Sequence, residues 1–293
     1  MEPIHPDPHL KATSPEETLQ LVCRIFRNHF SSISTEFIAV ACGEVQRAFA
    51  GTYPGYQRCD TAFHDFTHTC QAAVATARIF DGHLKSRRPP ALTRRDFELG
   101  ITGILLHDIG FLKEVGDDSG TGAKYTHVHV DRSISFAEKF LSRLGASPDE
   151  SRLVQLAIRC TAVDGDMNAL AFRDERERFI GSALATGDIL GTMAAPDYPE
   201  RLPSLYREFA EAAACGQLGP GENGRYQNAD DLLRRTRDFY QNRVRRMLDQ
   251  QWRQVYRALE YHFGDGRDHY LPAIDMNLTR IDEILAATQK PQR

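Results

Sequence analysis

Alternation of apolar and polar residues, the mark of a half-buried strand, is scarce in these 293 residues, and no apolar run is long enough to cross a bilayer. The first lack points away from sheet-based folds, the second from a membrane-spanning protein. The opening stretch, MEPIHPDPHLKATSPEE, has no basic start followed by an apolar block, so no secretory signal is expected and the cytoplasm is the expected location. Three prolines in the first dozen residues suggest a mobile tail, taken here as residues 1–15. No CxxC pair occurs. The six cysteines (23, 42, 59, 70, 160 and 215) lie scattered, mostly in apolar helical contexts, as reduced core residues and not as disulfides or a zinc knuckle. An excess of positive charge is also missing. Lys+Arg of 36 against Asp+Glu of 40 leaves −4, which argues against a general nucleic-acid-coating protein.

Helix-start signals, by contrast, are plentiful. Ser14-Pro15-Glu16-Glu17 and Ser147-Pro148-Asp149-Glu150 each offer an N-cap serine, a proline at the first helical position and a glutamate at the third. Thr93 with Asp96 is a weaker version. Between these signals apolar residues recur at helical spacing, as in Ile134, Ala137, Phe140, Leu141 and Leu144. The pattern predicts helices near 16–30, 34–50, 60–81, 93–108, 131–144, 148–162, 174–194, 199–214, 229–262 and 273–287. Loops are expected at 82–92, 113–126 and in CGQLGPGENGRYQ before the long C-terminal helix. No internal repeat is evident. The expected architecture is all-α: a helical domain over 16–225, with 226–293 as a helical extension packed on it.

Two acids stand where a core should be. On a helix over 93–108, the stripe Phe97, Ile101, Ile104, Leu105 ends on Asp108, with His107 on the adjoining stripe under Gly100 and Gly103. In the same way Ile180, Leu184 and Asp188 fall on one stripe at steps of four. An ionised carboxylate moved into an apolar interior must be paired, protonated or bound to a cation. No basic partner lies near either acid in sequence, which suggests a cation. Nitrogen ligands are offered by FHDFTH, where His64 and His68 are one helical turn apart and precede the apolar stripe Ala72, Ala75, Ile79. Taken singly, a buried histidine is most often a hydrogen-bonded core residue and an inward aspartate a cap or half an ion pair. The ordered series of HxxxH, then HD at an apolar helix end, then a distant inward Asp is far more specific than any of its parts.

This order resembles the HD-domain superfamily of metal-dependent phosphohydrolases, all-helical enzymes that include the cyclic-nucleotide phosphodiesterases. Phe63-His64-Asp65-Phe66-Thr67-His68 is similar to their helix motif of an aromatic residue, His, Asn, two variable residues and His. Leu106-His107-Asp108-Ile109-Gly110 is similar to the HD step, and Ala185-Thr186-Gly187-Asp188-Ile189-Leu190 to the later metal Asp segment. The likeness spans roughly residues 60–195. It implies His68, His107, Asp108 and Asp188 as metal ligands, Asp108 being able to bridge to a second ion, and His64 as proton donor to the leaving oxygen. It departs from the phosphodiesterases at Asp65, in place of Asn, and at Phe111-Leu112-Lys113, where they continue with another Asp and a His-Pro-Gly. No downstream glutamine and phenylalanine pair to clamp a purine is evident, so cyclic-nucleotide specificity is not carried over.

Two imidazoles and two carboxylates make a mixed N/O set suited to one or two ions of Mn, Fe, Zn, Ni or Mg. The implied chemistry is hydrolysis of a small phosphate ester or nucleotide, monoester or diester, by a metal-bound hydroxide. His129 is a further candidate ligand, since other HD families place a histidine near this point, and His127 is its competitor. Lys113, Lys124 and Arg132 are candidates to meet phosphate charge. Arginines from Arg234 to Arg257 are interleaved with acids and an apolar stripe (Val244, Leu248, Val255, Leu259), which favours an amphipathic helix over an RNA-binding face. Two alternatives remain: an HD-type diiron oxygenase, disfavoured because QLAIRCTAVDG (155–165) has no histidine, and a non-catalytic nucleotide-binding module, disfavoured by the cost of keeping two inward carboxylates. The expected partner is a small phosphorylated molecule. No membrane or nucleic-acid partner is expected, and a homo-oligomer is compatible with the sequence.

Overall fold

Serine and threonine caps open the helices where the sequence places them. In the computed structural model, which describes residues 10, 14–31, 33–163, 165–216 and 226–288, Ser14, Thr93 and Ser147 each close a reciprocal capping box with the acid three residues on. The helices are α1 (Pro15–His29), α2 (Glu36–Phe49), α3 (Phe66–Ser86), α4 (Arg94–Leu106), α5 (His129–Arg143) and α6 (Pro148–Arg159). They continue with α7 (Glu175–Met193), α8 (Tyr198–Ala214), α9 (Ala229–Phe239), the short α10 (Leu259–His262) and α11 (Tyr270–Thr288). No strand forms among the described residues, where Tyr56 and Glu114 make only an isolated bridge. The fold is all-α, as the scarcity of alternation implies. The 1–15 tail lies largely outside the described residues, as does most of the loop expected at 215–227.

α3 is the axis of the molecule. Every residue from His68 to His83 except Gln71 is buried, with α1, α4, α7 and α10 packed around it. Closest of these is α7, because Gly187 presents no side chain: a Cβ there would sit 2.0 Å from Thr76 Oγ1 and 2.9 Å from the Thr76 backbone nitrogen. Helices can approach this far only where one of them is bare. The segment after 226 closes over α3, α7 and α8. Asn277 of α11 donates to the Met193 and Ala195 carbonyls that end α7, and Asp81 of α3 binds both His262 and His29.

Several helix boundaries differ from the periodicity reading. Residues 60–65 are not helical. Asp65 is the extended N-cap of α3, and Thr61 Oγ1 donates to the His64 carbonyl at 2.7 Å, holding a turn in front of it. α3 runs on to Ser86, past the expected start of a loop at 82, and ends on Arg87 in the left-handed conformation (φ 54°). α4 stops at Leu106. His107 is its C-cap and Asp108 leads into a 3₁₀ turn over Ile109–Phe111. The helix expected across 229–262 is broken. Beyond α9 the chain winds in π-helical turns over Tyr240–Val244 and Met247–Gln251, then kinks at Arg253 and Gln254, both at positive φ. Trp252 N bonds five residues back to Met247 O, and the wider turns keep Tyr240, Val244, Met247, Leu248 and Trp252 all buried.

Candidate metal centre

Four side chains from three helix regions meet at one point. The Nε2 atoms of His68, from the first turn of α3, and His107, from the end of α4, lie 3.2 Å apart. Asp108 Oδ2 is 2.9 Å from the first and 3.3 Å from the second, and Asp188 Oδ1, from α7, is 3.3 and 3.5 Å away. His68, His107 and Asp188 each bring one ligand-type atom within 4.8 Å of the other two. Neither Asp108 nor either ring reaches solvent, while Asp188 is partly open to the cavity described below.

The outer nitrogens of both rings are already committed. His107 Nδ1 lies 2.7 Å from the Ile104 carbonyl and must donate to it. His68 Nδ1 lies 3.1 Å from Thr192 Oγ1, whose own hydrogen goes to the Asp188 carbonyl at 2.7 Å, so here too the ring donates. In their neutral forms, then, both rings aim an Nε2 lone pair inward, at two carboxylate oxygens. Four electron-rich atoms face one another, and Asp108 Oδ2 is buried without a hydrogen bond. Such a cluster calls for positive charge at its centre. Metal–ligand bonds of about 2.1 Å place neighbouring ligand atoms about 3.0–3.4 Å apart, close to the 2.9–3.5 Å separations found here. The residues therefore fit a divalent ion. The same demand shows in titration. Burial disfavours the His107 imidazolium, yet Asp108 and Asp188 raise its pKa well above the usual range. Burial would raise Asp108, yet His107 and His68 hold it well below its ordinary value.

His129 is the first residue of α5. Its Nδ1 is held by the Thr126 carbonyl at 2.5 Å, and its Nε2 lies 3.6 Å from Asp108 Oδ1. That approach depends on Gly110, where a Cβ would fall 2.0 Å from the His129 carbonyl oxygen. Burial lowers the pKa of His129 despite the Asp108 charge, which keeps it neutral and able to offer a lone pair. His127 is exposed and lies at the rim.

His64 does not share a helix with His68, as the spacing suggested. It stands in the turn before Asp65, and its orientation comes from elsewhere. Its Nδ1 lies 2.5 Å from Glu208 Oε2 on α8, and its ring stacks on Phe111 at 4.5 Å. Phe111 in turn stacks on His129 at 4.4 Å. Burial would discharge His64, but Glu208 outweighs it and raises its pKa, while Glu208 is held below the usual carboxylate range. Asp65 caps α3 by accepting from His68 N at 2.9 Å and pairs with Arg201 at 3.0 Å, so it fixes the turn that carries both histidines.

Sequence reasoning missed Glu208, Thr192 and Arg201. Glu208 was within reach of it, since it lies one turn before the buried Ala212 and one turn after the half-buried Leu205 on α8, an inward-acid pattern like the one that marked Asp108. The basic loop residues are placed otherwise than expected. Lys113 is bound to Asp60 and the Gly120 carbonyl, Lys124 to Asp117 and Ser119, and Arg132 to the Gly110 and Leu112 carbonyls. All three are spent on folding the 113–126 loop, and none lines the cavity.

The His and Asp cluster forms one end of a cavity of about 650 Å³ that runs between α7, α8 and α9. Its far walls are largely apolar. A search of solved structures finds the phosphodiesterase domain of the RhoPDE fusion protein from the choanoflagellate Salpingoeca rosetta, with a TM-score of 0.60 over 95% of each chain. The chain has a phosphodiesterase-like fold. Sequence identity to that domain is 15%, so the likeness is one of fold. A family model described as Npun_R2479-like matches residues 116–261, and no curated protein matches the chain.

Proposed function

We propose that this protein is a metal-dependent phosphohydrolase of the HD-domain type, acting on a small phosphate ester. The observation that carries the proposal is the convergence of two imidazoles and two carboxylates on one buried point, where a bound cation would relieve their mutual repulsion. Its phosphodiesterase-like fold supports the same chemistry. His68, His107, Asp108 and Asp188 would hold one divalent ion, and Asp108 with His129 would hold a second if one binds. A bound ion would supply Lewis acidity toward phosphoryl oxygens and lower the pKa of water toward neutrality. The residues of the chain do the rest. Thr192 and the Ile104 carbonyl fix the ring tautomers, Phe111 and Phe63 wall the site, and His64, kept charged by Glu208, gives its proton to the departing oxygen. Residues 16–225 would carry this centre, and 226–293, as an extension, would close the far side of the cavity.

The test combines metal analysis of the purified protein with turnover of bis-(p-nitrophenyl) phosphate. Chelation should abolish turnover and re-addition of one of Mn, Fe, Zn, Ni or Mg should restore it. Asp108→Ala should lose at least about 10²-fold in kcat, the least that loss of one participating group usually costs. Equal rates for Asp108→Ala and the parent protein would reject the proposal.

A further inference from the structure

The cavity that begins at the His and Asp cluster is not walled like a site for a polar molecule. Ile189 of α7, Leu205 and Phe209 of α8, and Phe239 of α9 are all only partly buried, and each lines this cavity. Apolar side chains left half-covered around one concave space are favourable only if something apolar fills it. Several polar groups among them spend hydrogens on the chain itself. Thr236 Oγ1 donates to the Leu232 carbonyl, Thr161 Oγ1 to the Ile158 carbonyl, and Tyr206 Oη to the Gln227 carbonyl. Arg243 reaches the Val163 carbonyl from Nη2, and Arg159 pairs with Asp131 at 2.5 Å. The hydroxyl of Tyr198 makes no hydrogen bond among the described residues, and few other groups on this wall are left to read a heterocycle with several polar edges.

We infer that the substrate is a phosphate ester of an apolar alcohol, whose hydrocarbon part lies between α7, α8 and α9 while its phosphate faces the His and Asp cluster. The inference rests on the phosphohydrolase proposal for the direction in which the molecule lies. In the reaction, water adds to phosphorus, the P–O bond to the alcohol breaks, the alcohol departs with the proton from His64, and the proton shed by the water restores that imidazole to its charged form. No redox partner is required. Specificity would come from chain length, because each methylene drawn out of water into the cavity strengthens binding by about fourfold, the equivalent of the usual gain per buried CH₂.

The experiment separates the pocket from the chemistry. The full-length protein, with Mn(II) present, is titrated calorimetrically with n-alkylphosphonates from methyl to octyl, which cannot be hydrolysed. Affinity should rise by about fourfold per methylene until the cavity is filled, and Leu205→Asn or Phe209→Ser should flatten that rise. Both side chains are only partly buried, so the variants are expected to fold, which circular dichroism would verify. An affinity that does not change with chain length overturns the inference, as does a purine mononucleotide binding more tightly than octylphosphonate. Release of inorganic phosphate from the matching n-alkyl phosphates is then measured. Rising affinity without turnover would leave the pocket standing and sink the phosphohydrolase proposal, whereas turnover with flat affinity would do the reverse.

Discussion

Glu208→Gln tests the assignment of His64 with little steric change. Glu208 is 4% exposed, and its two oxygens accept from Phe63 N at 2.6 Å and His64 Nδ1 at 2.5 Å. An amide keeps the shape but has one acceptor, so it must turn an NH₂ toward one of the two donors. A hydrogen bond between charged partners contributes about 1.5–3 kcal/mol, and 1.36 kcal/mol corresponds to one pKa unit, so His64 should lose about one to two units. The sign follows from its role. A proton donor must be charged, so kcat falls as pH rises through the raised pKa of His64, and in the variant that descending limb should begin at lower pH. At pH values above both pKa values the rate should drop about 10- to 100-fold, in proportion to the lost imidazolium. The drop should depend on the leaving group. An alkoxide needs the proton, whereas p-nitrophenolate leaves without one, so alkyl esters should suffer and p-nitrophenyl esters should be nearly unaffected. The assay is the pH–rate profile on both substrates at saturating metal. An unmoved descending limb, or equal losses on the two substrates, would show that His64 is not the donor.

Three further outcomes follow from the packing. Gly187→Ala would drive a Cβ into Thr76, pushing α7 off α3; overpacking of this kind costs about 1–3 kcal/mol. It should weaken Mn(II) binding as well as stability, whereas Gly181→Ala, which meets only the Cys160 side chain and Phe172 ring, should cost stability alone in calorimetry. Asp81→Asn removes the buried carboxylate shared by His29, His262 and Lys85. Burial would raise the Asp81 pKa, but those partners lower it to about 2, so its contribution of about 2 kcal/mol is complete above the ordinary carboxylate value and is lost as pH falls toward 2. Urea melts should show the variant destabilised at pH 7, with the gap closing in acid. Arg201→Ala releases the Phe63 carbonyl and Asp65 together and should raise KM and lower kcat for alkyl esters while leaving bound metal unchanged by elemental analysis.

How far the sequence reveals this arrangement depends on which forces placed each residue. Capping is local chemistry, and Ser14, Thr93 and Ser147 open their helices where a reader would put them. Asp108 and Asp188 announce themselves because a carboxylate at the end of an apolar stripe conflicts with its surroundings, and that conflict is visible in one helix at a time. His64 was placed by the wrong argument. HxxxH spacing suggested a shared helical face, but Asp65 prefers to cap, and the ring is aimed by Glu208, 144 residues away, through a contact that no local pattern encodes. Residues 229–262 kept their apolar periodicity through the π-turns, so the break at Arg253 and Gln254 left no local signature. Lys113, Lys124 and Arg132 were offered to phosphate because a basic loop looks free, yet backbone carbonyls and acids within reach had already taken them.

One helix links these pieces. α8 presents Glu208 to His64, and one turn later Glu211 receives both the amide and the hydroxyl of Thr121 in the loop that leads to His129. On the same helix Leu205 and Phe209 form part of the apolar wall. A ligand filling the cavity would therefore press on the helix that orients His64 and anchors the loop. Arg201 extends the same connection back to Asp65 and the start of α3, so α8 touches the turn before His68 at one end and the approach to His129 at the other. The His and Asp cluster itself rests on α3, α4 and α7, which meet through bare glycine. The division predicts that substitutions on α8 alter turnover and chain-length preference while bound metal stays constant, and that those at the α3–α7 contact alter bound metal first.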